Sequence, residues 1–338
     1  MMKSYIKAIS YYLPENDLTN DDLAREFPGY KIEDLTRLTG VRKRHISKDD
    51  ETPGDLAVEA ANKLFAQHAV KPEEIDYVLF CTQMGDYLTP ATACIIQDRL
   101  GIPKHAGALD FNQGCTGYIY GLAIAKGLIE ANIASNILLL TSEAITQLIH
   151  PEDKSNRAIF GDGAAATLIS ASEGKEKGIG EFLFGTDGQG YEAIIIKHGG
   201  ARYPLQKVKS EDYTDQFGNV RNDACFYMNG SAVFTFSMEI VPGLITALLN
   251  KAGLGMDDIK LVVLHQANQV ILESIFRKMK LPEEKTIIHL ENCGNTVAST
   301  IPIALKKAID DERVQPGDKV LLAGFGVGFS WAGTIIEI

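Results

Sequence analysis

The chain has 338 residues, 45% of them hydrophobic and 23% charged, with a net charge of −11. That is enough for one large layered unit or two medium domains around a sizeable core. The acidic balance argues against nucleic acid as a partner and leaves any acidic partner only a local basic patch to dock on. The five cysteines are odd in number and widely spaced, with no C-x-x-C pair. No disulfide framework and no zinc or other metal site is expected, and a reducing compartment fits. "MMKSYIKAISYYLPEN" lacks the apolar core of a signal peptide, and no apolar run stands out as long enough to span a bilayer. A cytoplasmic protein with no membrane contact is expected.

Taken in chain order, residues 52–70 ("TPGDLAVEAANKLFAQHAV") carry apolar residues at helical spacing. Residues 75–82 ("IDYVLFCT") and 136–143 ("NILLLTSE") read as short apolar strands, and residues 161–170 ("GDGAAATLIS") as a turn running into another. Between the first two, "FNQGCTGYIYGL" (residues 111–122) opens a helix that is apolar round most of its circumference, which marks it as buried. Gly117, Gly121 and Gly127 would let that helix pack closely. Residues 199–222 are polar and irregular, a surface excursion. "LVVLHQANQVILESI" (residues 261–275) is an apolar strand, a polar tripeptide and a helix.

An internal repeat organises these pieces. "ALDFNQGCTGYIYGLAIAKGLIEANIASNILLLTSE" and "IIHLENCGNTVASTIPIALKKAIDDERVQPGDKVLLAGFG" each hold a short strand, a Gly-Cys-Thr or Gly-Asn-Thr turn, a long apolar helix and a second strand. Cys115 and Asn295 occupy equivalent places, and residues 76–84 correspond to residues 259–268. Strands alternating with helices imply parallel pairing through crossover helices. Two such halves packed through their central helices would bring polar groups at strand ends and helix starts together.

Three residues at that junction carry chemistry. Cys115 lies at the start of the buried helix, where the unpaired N–H groups and the helix dipole are expected to lower its thiol pKa. Alone it could equally be an inert buried cysteine; Cys81, Cys94, Cys225 and Cys293 read as packing residues. His265 ends an apolar strand and alone could be a hydrogen-bonded core histidine, while Asn295 alone could be a helix N-cap. A Cys, a His and an Asn far apart in sequence but converging in space form a nucleophilic constellation.

"DFNQGCTGYIYGL", "HQAN", "GNTVASTIPIAL" and "GFGVGFSW", with "LTGVRKRHI" and "IFGDGAAATLI", resemble the β-ketoacyl-acyl carrier protein synthase III branch of the thiolase-fold condensing enzymes over almost the whole chain. The resemblance implies a thiolase-like α/β fold of two pseudo-symmetric halves, residues 1–172 and 173–338. Its layers would run helix/sheet/helix/sheet/helix, with mixed, mostly parallel sheets. It implies decarboxylative condensation of an acyl thioester with malonyl-acyl carrier protein, with no cofactor. Cys115 would take the acyl group, and the backbone N–H groups of Cys115 and Val327 would form the oxyanion hole. Val327 stands where many relatives have glycine. His265 and Asn295 would donate to the malonyl thioester carbonyl as it becomes an enolate oxygen. A homodimer and an acyl carrier protein partner are expected from the same resemblance.

Several outer positions depart from that family pattern. Asp34 and Leu38 fall where a tryptophan and an arginine flank a nucleotide in relatives that take acyl-coenzyme A, and Val270 and Thr235 replace basic residues. Lys154 keeps a positive charge at another coenzyme A position. Arg277 and Lys278, with Lys280, offer a basic patch for the carrier protein. Thr89 matches an aromatic position that closes the acyl pocket across a dimer interface, and its small size would leave room for a longer chain. The expected function is priming of fatty acid synthesis. A specialised-pathway ketosynthase, with a carrier-protein donor or a longer acyl chain, is the alternative. A cysteine hydrolase would need water at the thiol, which the apolar helix disfavours. A non-catalytic subunit would have no use for the three polar groups.

Overall fold

The computed structural model describes residues 3–29, 31–172 and 178–338. Nine strands make two sheets. They are β1 (Lys3–Tyr12), β2 (Tyr77–Cys81), β3 (Gly107–Phe111), β4 (Asn136–Glu143), β5 (Gly163–Ser172), β6 (Ile179–Thr186), β7 (Leu261–Leu264), β8 (Lys319–Gly326) and β9 (Ser330–Glu337). Six helices cover them: α1 (Pro53–His68), α2 (Thr92–Arg99), α3 (Gly117–Glu130), α4 (Gly230–Ala252), α5 (Gln269–Met279) and α6 (Thr300–Asp310). Local signals place the ends. Thr52 and Asp55 form a capping box at the start of α1, with Pro53 in the first turn.

The first sheet runs β1-β5-β4-β2-β3 and the second β6-β9-β8-β7. The two orders superimpose strand for strand, except that the second sheet has no full counterpart of β3. "IIHL" reads as a strand in the sequence, but a single parallel bridge, Val262 to Thr286, is all that forms. Strands β2, β3 and β4 pair in parallel, as do β7 and β8, whereas β5 and β9 run antiparallel to both neighbours. The sheets are therefore mixed as expected but not mostly parallel, because β5 and β9 each carry an antiparallel ladder on both sides. The expected division between halves falls at residues 173–177, outside the described residues.

Three layers of apolar packing hold the sandwich. α3 and α6 lie between the sheets, where Ile119, Leu122, Ile301 and Leu305 meet Leu79 and Leu139 of one sheet and Val263 and Leu322 of the other. α1 and α2 cover the outer face of the first sheet through Leu56, Leu64 and Ile96. α4 and α5 cover the outer face of the second through Ile245, Leu248 and Leu272. Each fully buried Leu or Ile contributes about 1.5–3 kcal/mol by leaving water. Sheets covered on both faces need apolar side chains in both directions, which is why β2 and β4 read as unbroken apolar runs. Gly121 permits the close seat of α3, since a Cβ there would come 2.5 Å from Leu139. Gly127 does not, because it faces open space.

Helix α4 corrects another expectation. Its 23 residues are long and apolar enough to cross a membrane by length and composition. In the fold, Val233, Phe236, Val241, Leu244 and Leu248 recur along one buried face against the second sheet, and Thr235, Glu239 and Asn250 lie on the exposed one. The cysteines also divide: all five are free, Cys81 and Cys293 are buried, Cys225 is intermediate, and Cys94 is exposed, contrary to its reading as a packing residue.

Candidate active site

The internal repeat brings equivalent chain turns to one place. Cys115 precedes the N-cap of α3, His265 follows the last residue of β7, and Asn295 precedes the one-turn helix Val297–Ser299 that leads into α6. All three line one cavity of about 50 Å³, walled by apolar groups that include Phe160, Ile194, Phe226, Val233 and Phe325. The three side chains are nearly inaccessible from outside, at 9%, 2% and 5% exposure. Phe160 and Phe226 meet edge to face at 5.0 Å in its wall.

The sulfur sits against backbone. A Cβ on Gly326 would come 2.6 Å from Cys115 Sγ, so only glycine lets the β8 terminus pass so close. The N–H groups of Val327 and of Cys115 itself both act on the sulfur. Val327 is not among the residues with positive φ, so a valine meets the backbone requirement here without glycine's freedom. The expected lowering of the thiol pKa is overturned. Burial dominates and pushes the thiol up to about 11, while the Val327 and Cys115 amides only partly offset it. Glu143, at the end of β4, adds a smaller upward push.

The imidazole and the amide are held by one turn. His265 Nδ1 lies 2.7 Å from Thr300 Oγ1. Burial pushes the ring down to about 3, so it is neutral near pH 7. The Val297 N–H donates to Asn295 Oδ1 at 2.9 Å, which orients the amide so that Nδ2 is the donor; Nδ2 reaches the Ala267 carbonyl at 3.2 Å. Val297 has φ +54°, an unusual conformation for a β-branched residue, and strain of that kind concentrates at functional sites.

Two more residues of this region are not singled out by the sequence. Glu143 is wholly buried and accepts from the Gln83 N–H at 2.9 Å, and Gln83 lines the cavity. Burial pushes its carboxyl up to about 8. A carboxylate closing an apolar strand run was the available signal. Thr300, inside "GNTVASTIP", looks in sequence like any helix-start threonine. Among the described residues no group of three or more His, Cys, Asp or Glu side chains could hold a metal ion.

Beside the chamber lies an open cleft of about 1560 Å³ that shares Met228 and Gly230 with it. The stretch read as a surface excursion supplies much of its wall, including Arg202, Tyr203, Tyr213 and Phe217. The outer candidates do not converge. Asp34 is exposed and paired with Arg37, and Leu38 is 52% exposed. Lys154 Nζ rests over the Phe27 ring at 5.4 Å. Thr89 is exposed and is not among the chamber-lining residues of this single chain. Arg277 and Lys278 occupy the last turn of α5, exposed, at the far end of the helix whose N-cap, Asn268, lines the chamber.

Comparison with known proteins gives the family of the chain. The family models for 3-oxoacyl-[acyl-carrier-protein] synthase III and for its C-terminal region match residues 109–188 and 249–338. A β-ketoacyl-[acyl-carrier-protein] synthase III of Clostridium perfringens (strain 13 / Type A) is 35% identical over 329 residues, 97% of each chain. A crystal structure of a 3-oxoacyl-(acyl-carrier-protein) synthase III has a TM-score of 0.97 and 47% identity, covering 99% of this chain and all of its own. The priming β-ketosynthase of the R1128 polyketide pathway follows at TM-score 0.87 and 28% identity, covering 99% and 96%. With the fold, the family models and the full-length identity in agreement, the chain belongs to the 3-oxoacyl-[acyl-carrier-protein] synthase III family of condensing enzymes.

Proposed function

We propose that the protein condenses an acyl thioester with malonyl-acyl carrier protein, losing carbon dioxide and giving a 3-oxoacyl-acyl carrier protein, in the initiation of fatty acid synthesis. The observation that carries this reading is the meeting of Cys115, His265 and Asn295 in one small apolar chamber. In the first half-reaction the Cys115 sulfur attacks the donor carbonyl, the bond from that carbonyl to the donor sulfur breaks, and the proton given up by the Cys115 thiol leaves on the donor sulfur as the free donor thiol. The carbonyl oxygen, negative in the tetrahedral intermediate, is met by the backbone N–H groups of Cys115 and Val327, which are fixed before the reaction begins. In the second, malonyl-acyl carrier protein loses carbon dioxide, and the electron pair of the broken bond becomes an enolate. Its oxygen is stabilised by His265 and by Asn295 Nδ2, and its carbon attacks the acyl group on Cys115 and expels the sulfur. No strong base is required, because decarboxylation itself supplies the carbon nucleophile. A neutral imidazole and an amide suit the task, and the apolar walls keep water from the thioester.

The carrier protein is read as docking by its acidic surface at Arg277 and Lys278. Lys154 is a weaker candidate for the donor's phosphates. We further read the chain as a soluble cytoplasmic homodimer of two pseudo-symmetric halves. Strand β3 is an open sheet edge with Leu109 exposed, and the loop carrying Tyr87, Leu88 and Thr89 projects from the surface, so a second copy could bring Thr89 to the acyl pocket.

Mass spectrometry of the purified protein after incubation with acyl donors tests the central reading. An acyl group on Cys115, followed by a 3-oxoacyl product once malonyl-acyl carrier protein is added, is the expected result. Hydrolysis without carbon–carbon bond formation sinks it. Asp34 and Leu38 favour a second reading, a specialised-pathway synthase that draws its acyl group from a carrier protein. Efficient acylation by the coenzyme A thioester alone removes that reading.

A further inference from the structure

Condensation uses three of the polar side chains that line the chamber, Cys115, His265 and Asn295. A fourth, Asn268, caps α5 by accepting from the Ile271 N–H at 2.8 Å. The fifth is Gln83, and the two half-reactions give it nothing to do. It is half-buried. Its backbone N–H donates to Glu143, but among the described residues neither end of its side-chain amide has a hydrogen-bond partner.

The amide is held in place. Glu143, wholly buried, accepts from the Gln83 N–H at 2.9 Å and so fixes the backbone two residues beyond β2. The side chain then lies along Gly114. A Cβ there would come 2.9 Å from Gln83 Oε1, 3.1 Å from Gln83 Cδ and 2.6 Å from Val327 Cγ1, so only glycine leaves the space. Gly114 immediately precedes Cys115, and Val327 supplies one of the two amides at the sulfur. The Gln83 amide therefore stands beside the place where an acyl chain on Cys115 begins.

A chain made only of methylenes would press against that amide and strip its water without replacing it, which is unfavourable. A site that offers a hydrogen bond discriminates against the analogue that lacks the matching group. Oε1 accepts and Nε2 donates. A hydroxyl does both, so it matches the amide whichever way the amide is turned, whereas a carbonyl matches one end only.

We propose that Gln83 is a specificity-determining residue: its amide hydrogen-bonds a hydroxyl carried close to the thioester end of the acyl group, so that Cys115 is loaded with hydroxyacyl chains in preference to unsubstituted ones. This rests on the condensation reading, because it needs an acyl group on Cys115. It adds to that reading the chemical class of the acyl group.

The test measures acylation of Cys115 by mass spectrometry, with butyryl, 2-hydroxybutyryl and 3-hydroxybutyryl thioesters, both enantiomers of each hydroxy acid. All are supplied on coenzyme A and, separately, on acyl carrier protein, so that the carrier cancels from each ratio. In the wild type, kcat/KM for at least one hydroxyacyl donor should exceed that for butyryl by about threefold to tenfold. Gln83→Leu, which keeps the bulk and removes both ends of the amide, should bring that ratio to one or below. Ratios taken within one variant are insensitive to a general loss of activity. Gln83→Met serves in the same way if Gln83→Leu does not fold. A wild type that shows no preference for any hydroxyacyl donor overturns the proposal without recourse to a variant. So does a preference that survives in the apolar variant, and so does a Cys115 that none of the donors modifies. Acylation that is not followed by carbon–carbon bond formation on adding malonyl-acyl carrier protein sinks the condensation reading instead, with the donor ratio read independently.

Discussion

The chamber and the outer surface of this protein are built by different means. Around Cys115 the groups that meet the chamber's polar atoms are largely backbone: two amides at the sulfur, a glycine where an added Cβ would come within 2.6 Å of that sulfur, and a strained valine whose N–H orients Asn295. Outside, the candidates are exposed side chains at scattered places, such as Asp34 beside Arg37, Lys154 over Phe27, and Arg277 and Lys278 at the end of α5. Inner groups are fixed by packing and cannot shift independently. Outer groups sit in water, where each contact contributes little and one residue can replace another. A family departure therefore means less at Leu38 than the same departure would at Gly326.

Mutations can break that contrast, and the largest effects belong inside. His265→Ala and Asn295→Ala should each lower decarboxylation about 10²–10³-fold while sparing acylation of Cys115. Stopped assays of the two half-reactions measure the split, and equal loss of both steps would erase the division of labour between backbone and side-chain donors. Gly326→Ala should slow acylation by at least about tenfold, because the added methyl meets the sulfur. Acylation at the wild-type rate would show that the close approach is incidental.

Glu143→Gln sharpens the comparison from behind the chamber. The carboxyl ionises near 8 when folded, against an ordinary 4.5, because burial opposes its charge. Between those values the unfolded chain has released a proton that the folded chain still holds, so the stability this group contributes is full below about 4.5 and lost as pH rises through 8. The variant should therefore match the wild type near pH 4.5 and exceed it at pH 9 by on the order of 3–5 kcal/mol. Thermal unfolding across pH reads this, and parallel Tm curves would contradict it. The smallest effect is expected outside. Arg277→Glu with Lys278→Glu should lower kcat/KM for malonyl-acyl carrier protein about threefold to tenfold at low salt, and less at high salt. An effect as deep as that of His265→Ala would place the basic turn among the fixed parts of the site.

Much of this is legible in the amino-acid sequence. Thr52 and Asp55 announce the start of α1, the apolar runs of β2 and β4 announce sheets covered on both faces, and the repeat pairs Cys115 with Asn295. These signals are local, or repeat within the chain, so a linear reading finds them. The thiol departs from its sequence expectation because the helix dipole is a local effect, whereas the burial that outweighs it comes from chain segments far apart in sequence. Gly127 and Cys94 depart for the same reason, since helical spacing does not say which partner, if any, covers a face.

The amino-acid sequence by itself determined the alternation of strands and helices, the kinship of the two halves, and the identity of the three polar residues at their junction. Only the tertiary structure decided that His265 reaches Thr300, that Val297 turns to orient Asn295, and that Glu143 is buried behind the thiol. The first and last of these join residues 35 and 60 positions apart, and distance in space is set by the whole fold; the middle one joins residues two apart, but through a positive-φ backbone that the surrounding packing holds and that a valine does not adopt on its own.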